Sequence, residues 1–418
     1  MATSDTISST RDLTWIKNSL QSAVELEYST LPLYLSSMFS LEVQNYTAYN
    51  SIRSVAMEEM VHMAIAANIL AALGGTPAIK NINVAYPTKG LPGGVEPDLN
   101  VGLTQFSRNQ LENFMRIERP QFLVDSKVRS EEYPTIGAFY EEIKDAIRQN
   151  KDEVTEAVKL ATDPANKTSS HQVPDSIGLP KFLYDKNIDP VEMLCAGIDE
   201  ITEQGEGTQG KSIVTNAKFE YEESHYAKFA SIYYGHAYED PGNDKELTNQ
   251  SEPEFFKGPI IGWPDVLNIM AVPSDGYAKI LALDPNGPDS ENGTNVMAQL
   301  NAFDTAFSNM MMTLHLTWNP TAQSSWNPIS TSASKMINYK VFQNTAQLEQ
   351  SVGGLGSAVH GMMDFRVFTS FNINRQRIPD SVIQQLPSLY PDEFEFINKY
   401  TDLSKPVFYG PRFINMNK

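Results

Sequence analysis

The stretch VAMEEMVHMAIAANILAAL, residues 55–73, constrains the fold more than any other part of the chain. It is apolar on nearly every turn, the pattern of a helix buried all round rather than along one stripe. Yet its middle carries Glu58, Glu59 and His62. A carboxylate buried without a partner is costly, so a fold that buries this helix must also compensate its charge.

The spacing suggests how. Helical residues three apart lie about 60° apart around the axis, so Glu59 and His62 share a face. Glu222 and His225 repeat the Glu-x-x-His spacing. An earlier helical segment supplies Glu25 and Glu27, and a later one supplies Glu200, Glu203 and Glu206 on one stripe. A four-helix bundle can hold two metal ions with one Glu from each of two helices and a Glu-x-x-His from each of the others. Four carboxylates then offset two divalent cations, and the imidazoles add neutral nitrogen donors; this donor set does not choose between iron and manganese. A solvated helix face remains the alternative for either Glu-x-x-His taken alone. Glu58, about 100° from Glu59, reads as a bystander or an outer partner. Met57, Met60 and Met63 read as core filler.

The helical pattern starts near residue 12, with Thr10 or Asp12 as cap, and runs to about 42 through Pro32, which should cost a backbone bond near Tyr28 and kink the helix. A second helix spans about 47–73 and stops at Gly74-Gly75. Shorter helices are expected over 104–118, from Pro134 to about 160, 190–207 and 215–234, with long loops at 76–103 and 161–188. Helices over 296–318, 331–342 and 345–368 and a Pro-rich, aromatic tail from Ile373 follow. Two long helices, a long connection and two more make an all-α four-helix bundle with a crossover, plus extra C-terminal helices and long loops. The division expected is a bundle domain over 11–236 and an extension over 237–418, which stands open between a separate domain, a cover and the arm of a homodimer.

A formal net charge of -19 argues against nucleic acid or an anionic membrane as partner. The one cysteine, Cys195, can build neither a disulfide framework nor a thiolate metal site. The start shows no secretory signal, and no apolar run approaches the roughly 18 residues of a membrane span. A cytoplasmic setting is the expectation.

SAVELEYSTLPLYLSSMF, IRSVAMEEMVHMAIAANILAALGGTP, TIGAFYEEI, ITEQGEG and SHYAKF, in this order, resemble the ferritin-like domain family of the iminophenyl-pyruvate dimer synthase type. The resemblance covers residues 11–236 and weakens beyond, though FDTAFSNMMMTLH and YGPRF also look like family segments. It implies a ferritin-like bundle with a dinuclear centre, most often two iron ions. The ligands it implies are Glu27, Glu59, His62, Glu203, Glu222 and His225. Glu206 is the next choice on its helix, and Glu141 and Glu142 are a minority alternative. Gly205 and Gly207 serve either a close backbone approach or helix termination. Tyr34, two turns from Glu27, is either a core tyrosine or a partner to a ligand carboxylate. His171, His236, His315 and His360 read as ordinary, with His360 the first to check for a second site.

The expected function is a non-haem diiron oxidase or oxygenase acting with O2 on a small, amino-acid-derived molecule. Imine coupling, as the family label suggests, a manganese catalase-like activity and non-catalytic metal binding are the alternatives. The loops at 76–103 and 161–188 and the C-terminal third are candidate pocket lids.

Overall fold

In the computed structural model, which describes residues 11–42, 46–124, 132–166, 171–172, 179–207, 222–239, 255–287, 295–319 and 373–417, two 27-residue helices run side by side, α1 (Leu13–Phe39) and α2 (Tyr46–Ala72). Each is about 40 Å long. Asp12 caps α1 by accepting from the Trp15 N–H at 2.9 Å. The helix runs on through Pro32. Proline offers no N–H to its upstream turn, and there the Tyr86 hydroxyl donates to the Ser29 carbonyl at 2.6 Å. Gly74 ends α2 with φ 79°, where the Gly75 N–H reaches the Leu70 carbonyl at 2.9 Å.

α2 has the length and apolar composition of a membrane-crossing helix, contrary to the expectation that no run comes near it. Of its most apolar window, 83% is buried inside the protein, so the apolar surface is spent on the core.

The other half of the bundle is made of short helices in pairs. α3 (Arg108–Ile117) packs on α7 (His225–Tyr234), and α4 (Ile136–Gln149) packs on α6 (Pro190–Glu206). α1 packs on α4, and α2 packs on both α6 and α7. On α1, Tyr34 sets its ring against Phe114 of α3 and Phe229 of α7, with centroids 4.7 and 5.1 Å away. Two continuous helices therefore face two pairs that meet end to end. Ser107, Thr135, Asp189 and Ser224 cap α3, α4, α6 and α7 by accepting from backbone N–H groups two or three residues on. α6 stops at Gly207, whose φ of 93° and ψ of -170° suit only glycine.

Three expectations need correction. The helix expected from Pro134 to about 160 is two, α4 and α5 (Lys151–Thr162), which meet at Asn150. The expected loop at 76–103 contains an antiparallel hairpin of β1 (Thr88–Leu91) and β2 (Val95–Val101). The helix expected over 215–234 begins only at His225, and residues 222–224 before it are not helical. The helices expected at 331–342 and 345–368, and His360, lie outside the described residues.

Beyond the bundle, α8 (Ala278–Leu283), α9 (Val296–Trp318) and three short helices (Asp380–Ile383, Leu386–Leu389 and Phe394–Tyr400) carry the rest of the described chain. α9 lies against α1 through Phe307 on Tyr28 and Phe303 on Phe39. The stretch from Val407 onward crosses the body: Phe413 stacks on Phe39, and Asn415 donates to the Lys80 and Ile82 carbonyls at 3.0 Å each.

Candidate metal centre

Halfway along α1 and α2, where the short pairs meet, the core turns polar. Glu27, Glu59, Glu118, His62 and His225 are each at most 3% exposed. Glu59 stands at the centre. Its Oε1 lies 3.4 Å from His62 Nδ1 and 2.9 Å from His225 Nδ1. Glu27 adds an oxygen 3.8 Å from His62 Nδ1, and Glu118 adds one 3.4 Å from His225 Nδ1. The two imidazole rings are stacked, 5.3 Å between centroids. Two groups result, Glu27–Glu59–His62 and Glu59–Glu118–His225, with Glu59 common to both.

A second ring of contacts fixes these side chains. Thr30 donates to Glu59 at 2.7 Å and Tyr140 to Glu27 at 2.6 Å. The Tyr34 hydroxyl donates to Glu118. His62 Nε2 faces the Gln204 amide oxygen at 2.8 Å, and His225 Nε2 faces Glu58 at 2.8 Å. Lys228 holds Glu58 from the other side at 2.8 and 2.9 Å. A carboxylate only accepts, so His225 Nε2 carries a proton toward Glu58, and Nδ1 is the ring atom that faces Glu59 and Glu118.

The electrostatics are those of crowded acids. Burial, then the Glu59 charge, pushes the Glu27 carboxyl well up. The same two causes, in the same order, raise Glu118. Burial would raise Glu59 too, but the imidazoles of His225 and His62 beside it outweigh that and hold Glu59 well below the usual carboxylate range. Glu58 is held down to about 2: burial opposes this, and His225 and Lys228 overcome it. Burial would lower His225, but the Glu118, Glu58 and Glu59 carboxylates around it outweigh that and raise it well above an ordinary histidine.

The donors fit a metal. His225 Nδ1 is fully buried and has no hydrogen-bond partner among the described residues, although carboxylate oxygens stand close on two sides. An imidazole nitrogen and carboxylate oxygens that converge in a buried site are what a shared cation would use. Glu59, His62 and His225 each place one ligand atom within 4.8 Å of the other two.

The structure thus brings together Glu27, Glu59, His62 and His225 of the residues singled out in the sequence. It does not bring Glu222. That residue is exposed and lies before the first turn of α7, so the helical spacing that paired it with His225 does not exist. Glu203 is partly buried on α6; from that helix it is Gln204 that reaches His62. Glu206 takes backbone N–H groups on both carboxylate oxygens, from Gln121 at 3.0 Å and Gly137 at 2.7 Å. Burial pushes its carboxyl up to about 7 against those two bonds, with Glu118 adding to the rise. Gly205 lies against Glu118, where an added Cβ would stand 3.5 Å from Oε2, while Gly207 terminates the helix. Glu141 and Glu142 are engaged elsewhere, with Lys144 at 2.7 Å and with Arg11. Tyr34 does meet a carboxylate, that of Glu118 rather than Glu27. Among the other histidines, His236 bonds the Gly258 carbonyl at 3.0 Å and His315 bonds Asn319 at 3.2 Å.

Glu118 and Tyr140 were not singled out from the sequence. Glu118 follows Leu111 and Phe114 at seven and four residues, the core-facing positions of that helix, and this was the available signal. Tyr140 sits likewise in line with Ile143 and Ile147.

A ferritin-like family model matches residues 20–234, a span that ends on the last residue of α7. Among solved structures, a ferritin-like protein from Caulobacter vibrioides is similar, with a TM-score of 0.51 and 15% identity over 84% of this chain and 94% of that one. That likeness speaks to the fold alone. No curated protein matches the sequence.

Proposed function

The chain belongs to the ferritin-like family, and from that premise we propose that it is a non-haem diiron oxidoreductase that uses O2 to oxidise a small, amino-acid-derived molecule. Glu27, Glu59 and His62 would hold one iron, and Glu59, Glu118 and His225 the other. The observation that carries this reading is the position of Glu59 between two imidazole Nδ1 atoms at 3.4 and 2.9 Å, one of them with no hydrogen-bond partner among the described residues. The unit that bears the metal is residues 11–236.

When bound, iron supplies the redox steps that couple O2 to a substrate. The chain's own residues do the rest. Tyr140 and Tyr34 hold the outer carboxylates in place by donating to Glu27 and Glu118. Gln204 and Glu58 fix the two rings so that Nδ1 faces inward. The apolar wall of α2 keeps bulk water away, which strengthens every charge interaction inside. The alternatives differ in the metal and its reactivity: manganese suits the same donors, and imine coupling of the iminophenyl-pyruvate dimer synthase type would use the metals to orient rather than oxidise.

The test is metal content after purification, followed by absorbance of the ferrous-loaded protein on exposure to O2. Two irons per chain and an oxygen-dependent absorbance change are expected. Binding of neither iron nor manganese would overturn the proposal. Iron that stays inert to O2, with amino-acid-derived substrates present, would favour coupling or storage instead.

A further inference from the structure

The two ligand groups are built differently. Around His225, the Nδ1 atom lies 2.9 Å from Glu59 and 3.4 Å from Glu118; around His62 the matching distances are 3.4 Å to Glu59 and 3.8 Å to Glu27. The outer partners differ as well. His225 Nε2 meets a carboxylate, Glu58, whereas His62 Nε2 meets a neutral amide, Gln204. A carboxylate that accepts the far ring proton makes the near nitrogen a stronger donor than an amide does. Lys228 also touches both oxygens of Glu58, and Ser54 donates to one of them at 2.9 Å, so Glu58 is anchored from several sides.

Resting on the two-metal reading above, we propose that the sites fill in order, the Glu59–Glu118–His225 group first, with Glu58 as the positioning residue that sets the order. The tighter group takes the first cation because its donors already converge and its imidazole is held by a carboxylate on the far side. The Glu27–Glu59–His62 group takes the second, after Glu59 is already committed to the first. Gln204 is the counterpart of Glu58 on this side, and its neutrality is why the second site is weaker.

The test is a calorimetric and optical titration of the metal-free full-length protein with Co2+ alone. Two steps are expected, at least about tenfold apart in Kd. Glu58→Gln should weaken the first step about 10- to 100-fold, the usual effect of losing an outer partner, and leave the second in place. Gln204→Glu should strengthen the second step and draw the two together; as a gain of affinity, it does not depend on a variant that merely folds poorly. His225→Ala should remove the tight step and His62→Ala the weak one. Two equal sites, or loss of the tight step in His62→Ala alone, would overturn the order while leaving two metals per chain. Failure to bind Co2+ at all would instead sink the two-metal reading and the order with it.

Discussion

Glu206 and Gly137 meet so closely that a Cβ added to residue 137 would stand 2.5 Å from both carboxylate oxygens. This contact joins the end of α6 to the start of α4, and it exists because residue 137 has no side chain. Gly137→Ala should therefore force Glu206 off the helix terminus and cost about 1–3 kcal/mol, the range for inserting one methyl group into a packed site. A lowered urea midpoint at unchanged slope would report it; an unchanged midpoint would show that the seam tolerates the movement.

The same carboxyl makes stability depend on pH. In the metal-free protein Glu206 titrates near 7, against 4.5 for an ordinary glutamate, chiefly through burial. Below about 4.5 both folded and unfolded chains hold the proton. Between 4.5 and 7 only the folded chain does, so this group's contribution is lost as pH rises through that window. The full loss is up to about 3 kcal/mol. Glu206→Gln should flatten that part of the stability–pH curve, which chemical denaturation at pH 5, 6, 7 and 8 would measure.

Glu59 is shared by both ligand groups, and its removal should act on both. Glu59→Ala is expected to reduce bound iron from two per chain to near none, read by elemental analysis of the folded variant. Retention of one iron would mean that Glu59 does not bridge.

Tyr34→Phe tests the buried bond to Glu118. It removes a donor to a carboxylate that is 3% exposed, a loss of about 1.5–3 kcal/mol for a bond to a charged group. The loss should show in the metal-free protein and shrink once metal neutralises Glu118. Equal losses in both forms would indicate a packing effect of the ring alone.

Far from the cluster, Arg412 fastens the late segment to α9. Its guanidinium donates to Asp304 at 2.6 and 2.9 Å, and the Ile414 N–H adds a third bond to that carboxylate at 3.0 Å. Even so, burial pushes Asp304 up to about 6. Arg412→Ala would strand a buried acid and should cost about 3–5 kcal/mol; Arg412→Met with Asp304→Leu should recover much of it. Thermal unfolding of the two variants would distinguish them.

The long helices were legible because their signals are local. Asp12, Gly74 and an unbroken apolar period are written into α1 and α2, and with them Glu27, Glu59 and His62. The rest of the site depends on where helices stop. A regular spacing suggested that Glu222 and His225 share a turn, but the turn starts at His225, after Ser224 caps it. Glu118 looked like a charged helix end before a proline, and only the packing of α3 against α7 carries it inward. Glu206 was among the candidates from its stripe, but its pairing with Gly137 and Gln121 is a contact across 69 and 85 residues that no local pattern reports.

The end-to-end meeting of the short helices also sets the sign of the field at the cluster. An unbroken bundle helix passes a metal site with its peptide dipoles balanced on either side, whereas a helix that stops there presents one pole. Glu118 caps the carboxyl end of α3, the pole where partial negative charge gathers, so the backbone itself disfavours an acid at that position. Across the seam, α7 turns its opposite pole inward at His225, the pole that disfavours a cation on the imidazole. Each residue is thus placed against the grain of its own helix when charged alone, and a cation beside Glu118 would sit at the pole of α3 that favours it.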